Sequence, residues 1–296
     1  MKIINKVSQM QKISNLHRAK DQIIAVVPTM GYLHEGHLSL IRKARKISDI
    51  VITTLFVNPA QFAPNEDYDQ YPKDLERDSK LANTNGTDYL FSPSVNEMYP
   101  VGYSTNVHVN KITEIFEGKF RPTHFDGVTT VVSKLFNATL PDKAVFGQKD
   151  FQQALVIKRM VKDLNFNIEI ITSPTIRESD GLAKSSRNSY LTPDERTKAG
   201  ILFLAMEEAR HEIEKGERRR KIINAIMHKK LREVKEIKID YAASANAEDL
   251  STPEEFLPGE KIVLLLACYL NKTRLIDNMT VKIPERLNES NFKKGE

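Results

Sequence analysis

The chain has 296 residues, 40% hydrophobic and 28% charged, with a formal net charge of +5, which is ordinary for a globular protein of about two domains with a sizeable core. A single cysteine, Cys268, excludes an internal disulfide framework and fits a reducing compartment. No apolar run approaches the roughly 20 residues of a membrane-spanning helix, and residues 1–6 lack the apolar core of a signal peptide. The mild positive balance suits anionic small molecules without arguing for nucleic acid. A cytoplasmic location without membrane association is expected.

In chain order, residues 1–20 read as a short strand and a polar helix. An apolar strand, 23–27, leads into Pro28-Thr29-Met30-Gly31-Tyr32-Leu33-His34-Glu35-Gly36-His37, and a helix is predicted over 36–47. The β-branched run 50–57 is apolar on both faces, as a central parallel strand is, and stops at Asn58-Pro59, a turn signal. Residues 59–71 read as a loop. A helix carrying Asp74, Glu76 and Lys80 ends near Asn85-Gly86, and 88–91 is a short strand. Residues 94–125 are mixed. A helix over 124–137, strand 144–146, helix 151–164 and strand 168–171 follow from their periods. The alternation predicts a doubly wound α/β (Rossmann-like) parallel sheet over 1–175.

After Pro174 the character changes. A polar loop over 177–190 gives way to a capped helix start at Thr192-Pro193. Two charged helices are predicted, 193–215 and 218–232. The strand-like runs 237–242, 261–270 and 275–281 lack βαβ spacing. Residues 176–296 therefore read as a smaller α+β domain with an antiparallel sheet. The last ten residues are polar and expected to fray.

Chemistry concentrates where open α/β sheets bind ligands, beyond the carboxyl ends of strands. His34 and His37 lie between a buried strand and a helix start, where main-chain N–H groups make an anion site and two imidazoles add hydrogen-bond donors. An isolated His-x-x-His is as readily two polar loop residues or a metal pair, but no cluster of Cys or His supplies the further ligands zinc needs. Gln61, after the strand that ends at Val57, is a donor–acceptor suited to a small polar substrate. Arg121, with His124 and Gly127 before a helix, suits a carboxylate or phosphate clamp, although a capped helix with a solvated arginine has the same sequence. Gly147-Gln148-Lys149-Asp150 closes another strand: Lys149 suits a phosphate, and Asp150 a ribose hydroxyl or a helix cap. Gln153 lies one turn further on. Lys184-Ser185-Ser186-Arg187 at the domain junction reads as a basic loop able to close over a triphosphate. The run Arg218-Arg219-Arg220-Lys221 reads as a solvated helix face, and no Walker-type phosphate loop occurs.

Taken together, Pro28-Thr29-Met30-Gly31, His34-Glu35-Gly36-His37, Phe56-Val57-Asn58-Pro59, Gln61-Phe62, Arg121-Pro122-Thr123-His124-Phe125, Phe146-Gly147-Gln148-Lys149-Asp150, Ser185-Ser186-Arg187-Asn188 and Arg274-Leu275-Ile276-Asp277-Asn278 resemble, in order and over nearly the whole chain, the pantoate–β-alanine ligase (pantothenate synthetase) family of the nucleotidylyltransferase superfamily. The resemblance implies ATP, pantoate and β-alanine as substrates, Mg²⁺ as cofactor and a homodimer. It implies that Met30, Gly31, Tyr32, Leu33, His34, Glu35, Gly36 and His37 hold ATP, with Gly147, Gln148, Lys149, Asp150, Ile176, Lys184, Ser185, Ser186 and Arg187 completing that site. Gln61, Arg121, His124 and Gln153 would line the pantoate and β-alanine pocket. His34, His37, Lys149 and Arg187 would carry catalysis. The Mg²⁺ contacts stay open, with Asp74 and Asp78 among the candidates. Two positions depart from the family: Thr123 where glycine is frequent, and Lys184 where an apolar residue is frequent. The competing readings are a nucleotidylyltransferase acting on a phosphorylated small molecule, an RNA-binding module and a nucleotide-binding regulator.

Overall fold

The structure, a computed structural model, describes residues 1–64 and 66–285; the expected polar tail lies outside them. The chain divides into two compact units, Met1–Ile176 with Lys184–Ser186, and Arg177–Ala183 with Arg187–Glu296.

The first unit is a six-stranded, fully parallel sheet in the order β1-β4-β3-β2-β5-β6. Its strands are β1 (Lys2–Ile4), β2 (Ile24–Thr29), β3 (Ile50–Leu55), β4 (Tyr89–Phe91), β5 (Lys143–Gly147) and β6 (Glu169–Ser173). Every residue of β3 is buried, as its unbroken β-branched run requires of a strand covered on both faces. The main helices are α1 (Val7–Arg18), α2 (Glu35–Ile47), α3 (Leu75–Thr84), α6 (His124–Thr139) and α7 (Phe151–Asp163), and the stretch that gave no clear reading holds the short helices α4 (Val95–Met98) and α5 (Glu117–Phe120). One core cluster joins Ile24, Ile52 and Phe91 to Val128, Phe136 and Ile157, and another joins Val27, Val51 and Val145 to Leu38, Ile41 and Ala82. The sheet is thus covered on both faces, as predicted.

The strand β2 runs two residues further than the apolar run suggests, through Pro28 to Thr29. Past the proline the pairing continues through both main chain and side chains: Phe56 N donates to Thr29 O at 3.1 Å, Thr29 N to Thr54 Oγ1 at 3.3 Å and Thr29 Oγ1 to Thr54 O at 2.6 Å. Chain order reverses between β2 and β5. To one side lie β3 and β4, and to the other lies β6. A switch of this kind opens a crevice at the carboxyl ends of the two central strands.

The second unit packs α8 (Pro193–Ala199), α9 (Ile201–Glu214) and α10 (Arg220–Leu231) with an antiparallel sheet, β7 (Ile237–Asn246), β8 (Lys261–Leu270) and β9 (Thr273–Lys282), in the order β7-β8-β9. The long helix expected over 193–215 is broken between Ala199 and Ile201 at Gly200, a residue that stabilises a helix interior poorly. Cys268 is a buried member of this unit's core. Among the described residues no helix is long and apolar enough to cross a membrane.

Candidate active site

The turn between β2 and α2 is held from below by Asp78, a role its place in the sequence did not announce. Asp78 on α3 is 2% exposed and accepts hydrogen bonds from Tyr32 N at 2.6 Å and Leu33 N at 2.7 Å. Gly31 and Tyr32 both have positive φ, 94° and 50°, a conformation that aims successive N–H groups to one side. Burial raises the Asp78 carboxyl above its ordinary range, opposed by the two backbone hydrogen bonds and by Arg77. Arg77 donates to Leu33 O at 2.8 Å and lies over the Tyr32 ring at 5.0 Å. Asp74 caps α3 by accepting from Arg77 N at 3.0 Å. Neither aspartate therefore stands as a ready metal ligand, and among the described residues no group of three His, Cys, Asp or Glu side chains is placed to hold a metal.

The two histidines fold back on the start of α2. Gly36 N donates to His34 Nδ1 at 3.2 Å, and His34 N approaches His37 Nδ1 at 3.4 Å. The rings lie 4.1 Å apart. Gly36 is required by this packing: a Cβ there would meet His34 Cε1 at 2.8 Å. Because both Nδ1 atoms accept main-chain hydrogen bonds, each neutral ring carries its proton on Nε2. Burial lowers the His34 pKa to about 2, assisted by His37, Lys149, Lys184 and Arg77. Burial also lowers that of His37 to about 4, with Asp150 opposing and Lys149 assisting. Near neutral pH both are uncharged N–H donors in a cationic setting.

The turn after β5 brings Gly147, Gln148, Lys149 and Asp150 to the same crevice as a short 3₁₀ turn ahead of α7. The Lys149 ammonium lies 4.0 Å from the Asp150 carboxylate. Ile176 O accepts from Lys184 N at 2.9 Å. The Ser186 hydroxyl is within 3.4 Å of Tyr32 O and of Tyr71 Oη. Residues Lys184–Ser186 thus pack with the first unit, whereas Arg187 belongs to the second. Glu35 points along α2 to an ion pair with Arg42.

Gln61 closes the 3₁₀ turn Pro59–Gln61. Its Nε2 donates to Met30 Sδ at 3.2 Å, and its Oε1 accepts from Asn58 Nδ2 at 3.1 Å. Asn58 is itself anchored, donating to Gly127 O at 3.0 Å and accepting from Tyr99 Oη at 2.8 Å. Gly127 lets α6 press on this turn: a Cβ there would lie 2.3 Å from Ala60 O and 2.6 Å from Gln61 Cα. His124 Nδ1 lies 2.9 Å from Gln61 O, and its Nε2 lies 3.3 Å from Arg121 Nη1. The carbonyl can only accept, so here Nδ1 carries the proton. Burial and Arg121 lower the His124 pKa to about 4. The sequence predicts Arg121 as a carboxylate or phosphate clamp, and in the structure its Nε and Nη2 grip the carboxylate of Glu66, at 2.7 and 2.6 Å. Gln153 lies partly buried on the first turn of α7, while the adjacent Gln152 is committed to Glu117 N and to the carbonyls of Ile112 and Ile115.

The roles of Asp78, Asn58 and Glu66 were missed. For Asp78 a signal existed: it stands four residues before the buried Ala82, and so shares that residue's inward helix face. Glu66 left no signal, because its partner is 55 residues away.

A parallel sheet with a chain reversal, a donor-rich turn at the head of a helix, and lysine beside it define a nucleotide-binding α/β enzyme. The pantoate–β-alanine ligase family profile matches residues 2–280. A pantothenate synthetase from Moorella thermoacetica is 52% identical, covering 96% of this chain and 99% of its own length. Among solved structures, the pantothenate synthetase of Thermus thermophilus superposes with a TM-score of 0.88 at 42% identity, covering 94% of this chain and 99% of that one. A pantoate–β-alanine ligase from Francisella tularensis, complexed with β,γ-ATP and β-alanine, does so with 0.77 at 36% identity, covering 94% and 97%. The chain belongs to the pantoate–β-alanine ligase family, and it is an ATP-dependent ligase.

Proposed function

We propose that this chain binds ATP over the β2–α2 turn, with the triphosphate facing the Nε2–H groups of His34 and His37 and the ammonium of Lys149, and binds pantoate beside Gln61 and Gln153. The observation that carries this is the pair of histidines at the head of α2 whose Nδ1 atoms face main-chain N–H groups, which leaves Nε2–H as the donor of each neutral ring, with Lys149 near enough to lower the pKa of both. Met30, Gly31, Tyr32, Leu33, Gly147, Gln148, Asp150, Ile176, Lys184, Ser185 and Ser186 complete the nucleotide site in this reading. Arg187 is added on the strength of the family resemblance alone.

The chemistry follows from charge. Pantoate's carboxylate is ionised at neutral pH, so its attack on the α-phosphorus needs no base. It needs in-line placement and donors aimed at the charge developing on phosphorus and the leaving pyrophosphate. Neutral histidines supply hydrogen bonds there, and Lys149 supplies charge. The pantoyl adenylate formed is then attacked at its carbonyl by the neutral amine of β-alanine, releasing pantothenate and AMP. Mg²⁺ bound with ATP would supply charge that neutralises the triphosphate. A homodimer in the cytoplasm, without nucleic-acid or membrane partners, completes the proposal.

The test is an assay with ATP, pantoate and β-alanine, paired with pantoate-dependent exchange of labelled pyrophosphate into ATP. The expected result is AMP and pantothenate in equal amounts, and exchange without β-alanine. Exchange that does not need pantoate, or a product retaining the nucleotide, overturns the mechanism.

A further inference from the structure

The two carboxylic acid substrates make opposite demands. Pantoate's carboxylate is the nucleophile, and a guanidinium gripping both oxygens would tie up the lone pairs that must reach phosphorus. β-Alanine's carboxylate does not react. It needs holding while the amine at the other end of the molecule attacks. A fixed cation in bidentate geometry therefore belongs to the amine substrate.

Arg121 has that geometry, and a carboxylate already fills it. Its Nε and Nη2 hold the two oxygens of Glu66 at 2.7 and 2.6 Å. The rest of the guanidinium is fixed by groups that stay in place: His124 Nε2 at 3.3 Å from Nη1, Gln61 O at 3.3 Å from Nη2, and the Glu117 carboxylate at 3.8 Å. The Arg121 side chain is 12% exposed and that of Glu66 22%. Glu66 comes from the irregular segment between the Pro59–Gln61 turn and α3, and besides Arg121 its carboxylate has a hydrogen bond from the Ala63 backbone.

We propose that Glu66 is an internal stand-in for the carboxylate of the amine substrate. β-Alanine's carboxylate takes over the Nε–Nη2 edge of Arg121, beside Gln61, and the Glu66 side chain rotates towards solvent. This rests on the reading of Arg121 and His124 as site residues. The exchange replaces one carboxylate by another, so the charge at the buried node is unchanged. His124 stays neutral, and no ion is stranded away from water. Adding a third carboxylate beside Glu66 and Glu117 would lack that balance. No covalent bond changes. The amine substrate binds only in the fraction of molecules whose fork is open, and its apparent affinity is reduced by that fraction.

The experiment is Glu66→Ala in the full chain, with separate KM values for β-alanine in the complete reaction and for pantoate in pyrophosphate exchange. With the competitor gone, the β-alanine KM is expected to fall by roughly tenfold, with the pantoate KM in exchange unmoved. The charge-balanced Glu66→Ala/Arg121→Met variant is expected to raise the β-alanine KM by more than about tenfold and to lose the preference for β-alanine over propylamine, which has no carboxylate. A β-alanine KM that rises in Glu66→Ala, or a pantoate KM that rises with it, overturns the proposal and makes Glu66 a structural brace. Failure of the functional reading looks different: the unaltered protein would then show no pantoate-dependent exchange at all.

Discussion

Two places in the first unit hold uncharged histidines, half-buried at one and buried at the other, and they are wired in opposite senses. At the head of α2, His34 and His37 accept at Nδ1 from main-chain N–H groups, which leaves Nε2–H as the donor. At the head of α6, His124 donates from Nδ1 to a main-chain carbonyl, which leaves Nε2 to accept from Arg121. Burial is the main cause of the lowered pKa in all three. What differs is the backbone partner, and that partner chooses the tautomer. The first arrangement exports hydrogen bonds to an anion. The second spends them inward, fixing a guanidinium and the carbonyl of Gln61.

The comparison breaks most visibly at His37. His37→Ala removes one exported donor and is expected to lower kcat by roughly 10²–10³-fold, with the thermal midpoint little changed. A loss below about threefold would mean that the donor never meets developing charge. Asp78→Asn probes what holds the first arrangement. Two main-chain donors then compete for one oxygen in a buried place, a cost of about 1–3 kcal/mol. The expected outcome is a lower midpoint together with a raised KM for ATP and an unmoved KM for β-alanine. Gly127→Ala probes the second arrangement. Its Cβ would press on Ala60 and Gln61, costing about 1–3 kcal/mol. Here the KM for pantoate should rise while that for ATP holds, as read from initial rates in the same assay.

How far each arrangement could be read in the sequence follows from the range of its contacts. The β2–α2 turn is local. Strand, glycines, histidines and helix lie within about fifteen consecutive positions, so their roles are legible from spacing. The all-apolar run of β3 was legible for the same reason. The node at Arg121 was only half legible. Its arginine and histidine sit three apart on one helix start, but Glu66, which decides what Arg121 holds, lies across an irregular loop. Asp78 reaches the turn from 45 residues away. Residues 94–125 resisted reading because their order comes from scattered apolar anchors such as Met98 and Val109 and from side-chain bonds to distant helices, such as Gln152 to the carbonyls of Ile112 and Ile115, and not from a periodic apolar face. The pattern 193–215 read as one helix because glycine interrupts the backbone there without interrupting the period.

The mildest test follows from the pKa values themselves. A histidine whose folded pKa lies near 4 and whose unfolded value lies near about 6.5 binds fewer protons folded than unfolded between those limits. Stability therefore rises with pH through that window and is lost as pH falls from about 6.5 towards 4. For His124 alone the loss between pH 7 and pH 5 is on the order of 2 kcal/mol. His37 adds in the same direction, since its pKa is also lowered to about 4. Thermal midpoints of the unaltered protein should decline across that interval, and His124→Gln should decline less steeply, since glutamine keeps a donor for Gln61 O but carries no titrating group. Equal slopes for the two proteins would mean that His124 is not buried in its neutral form, and the contrast between the two histidine sites would then rest on His34 and His37 alone.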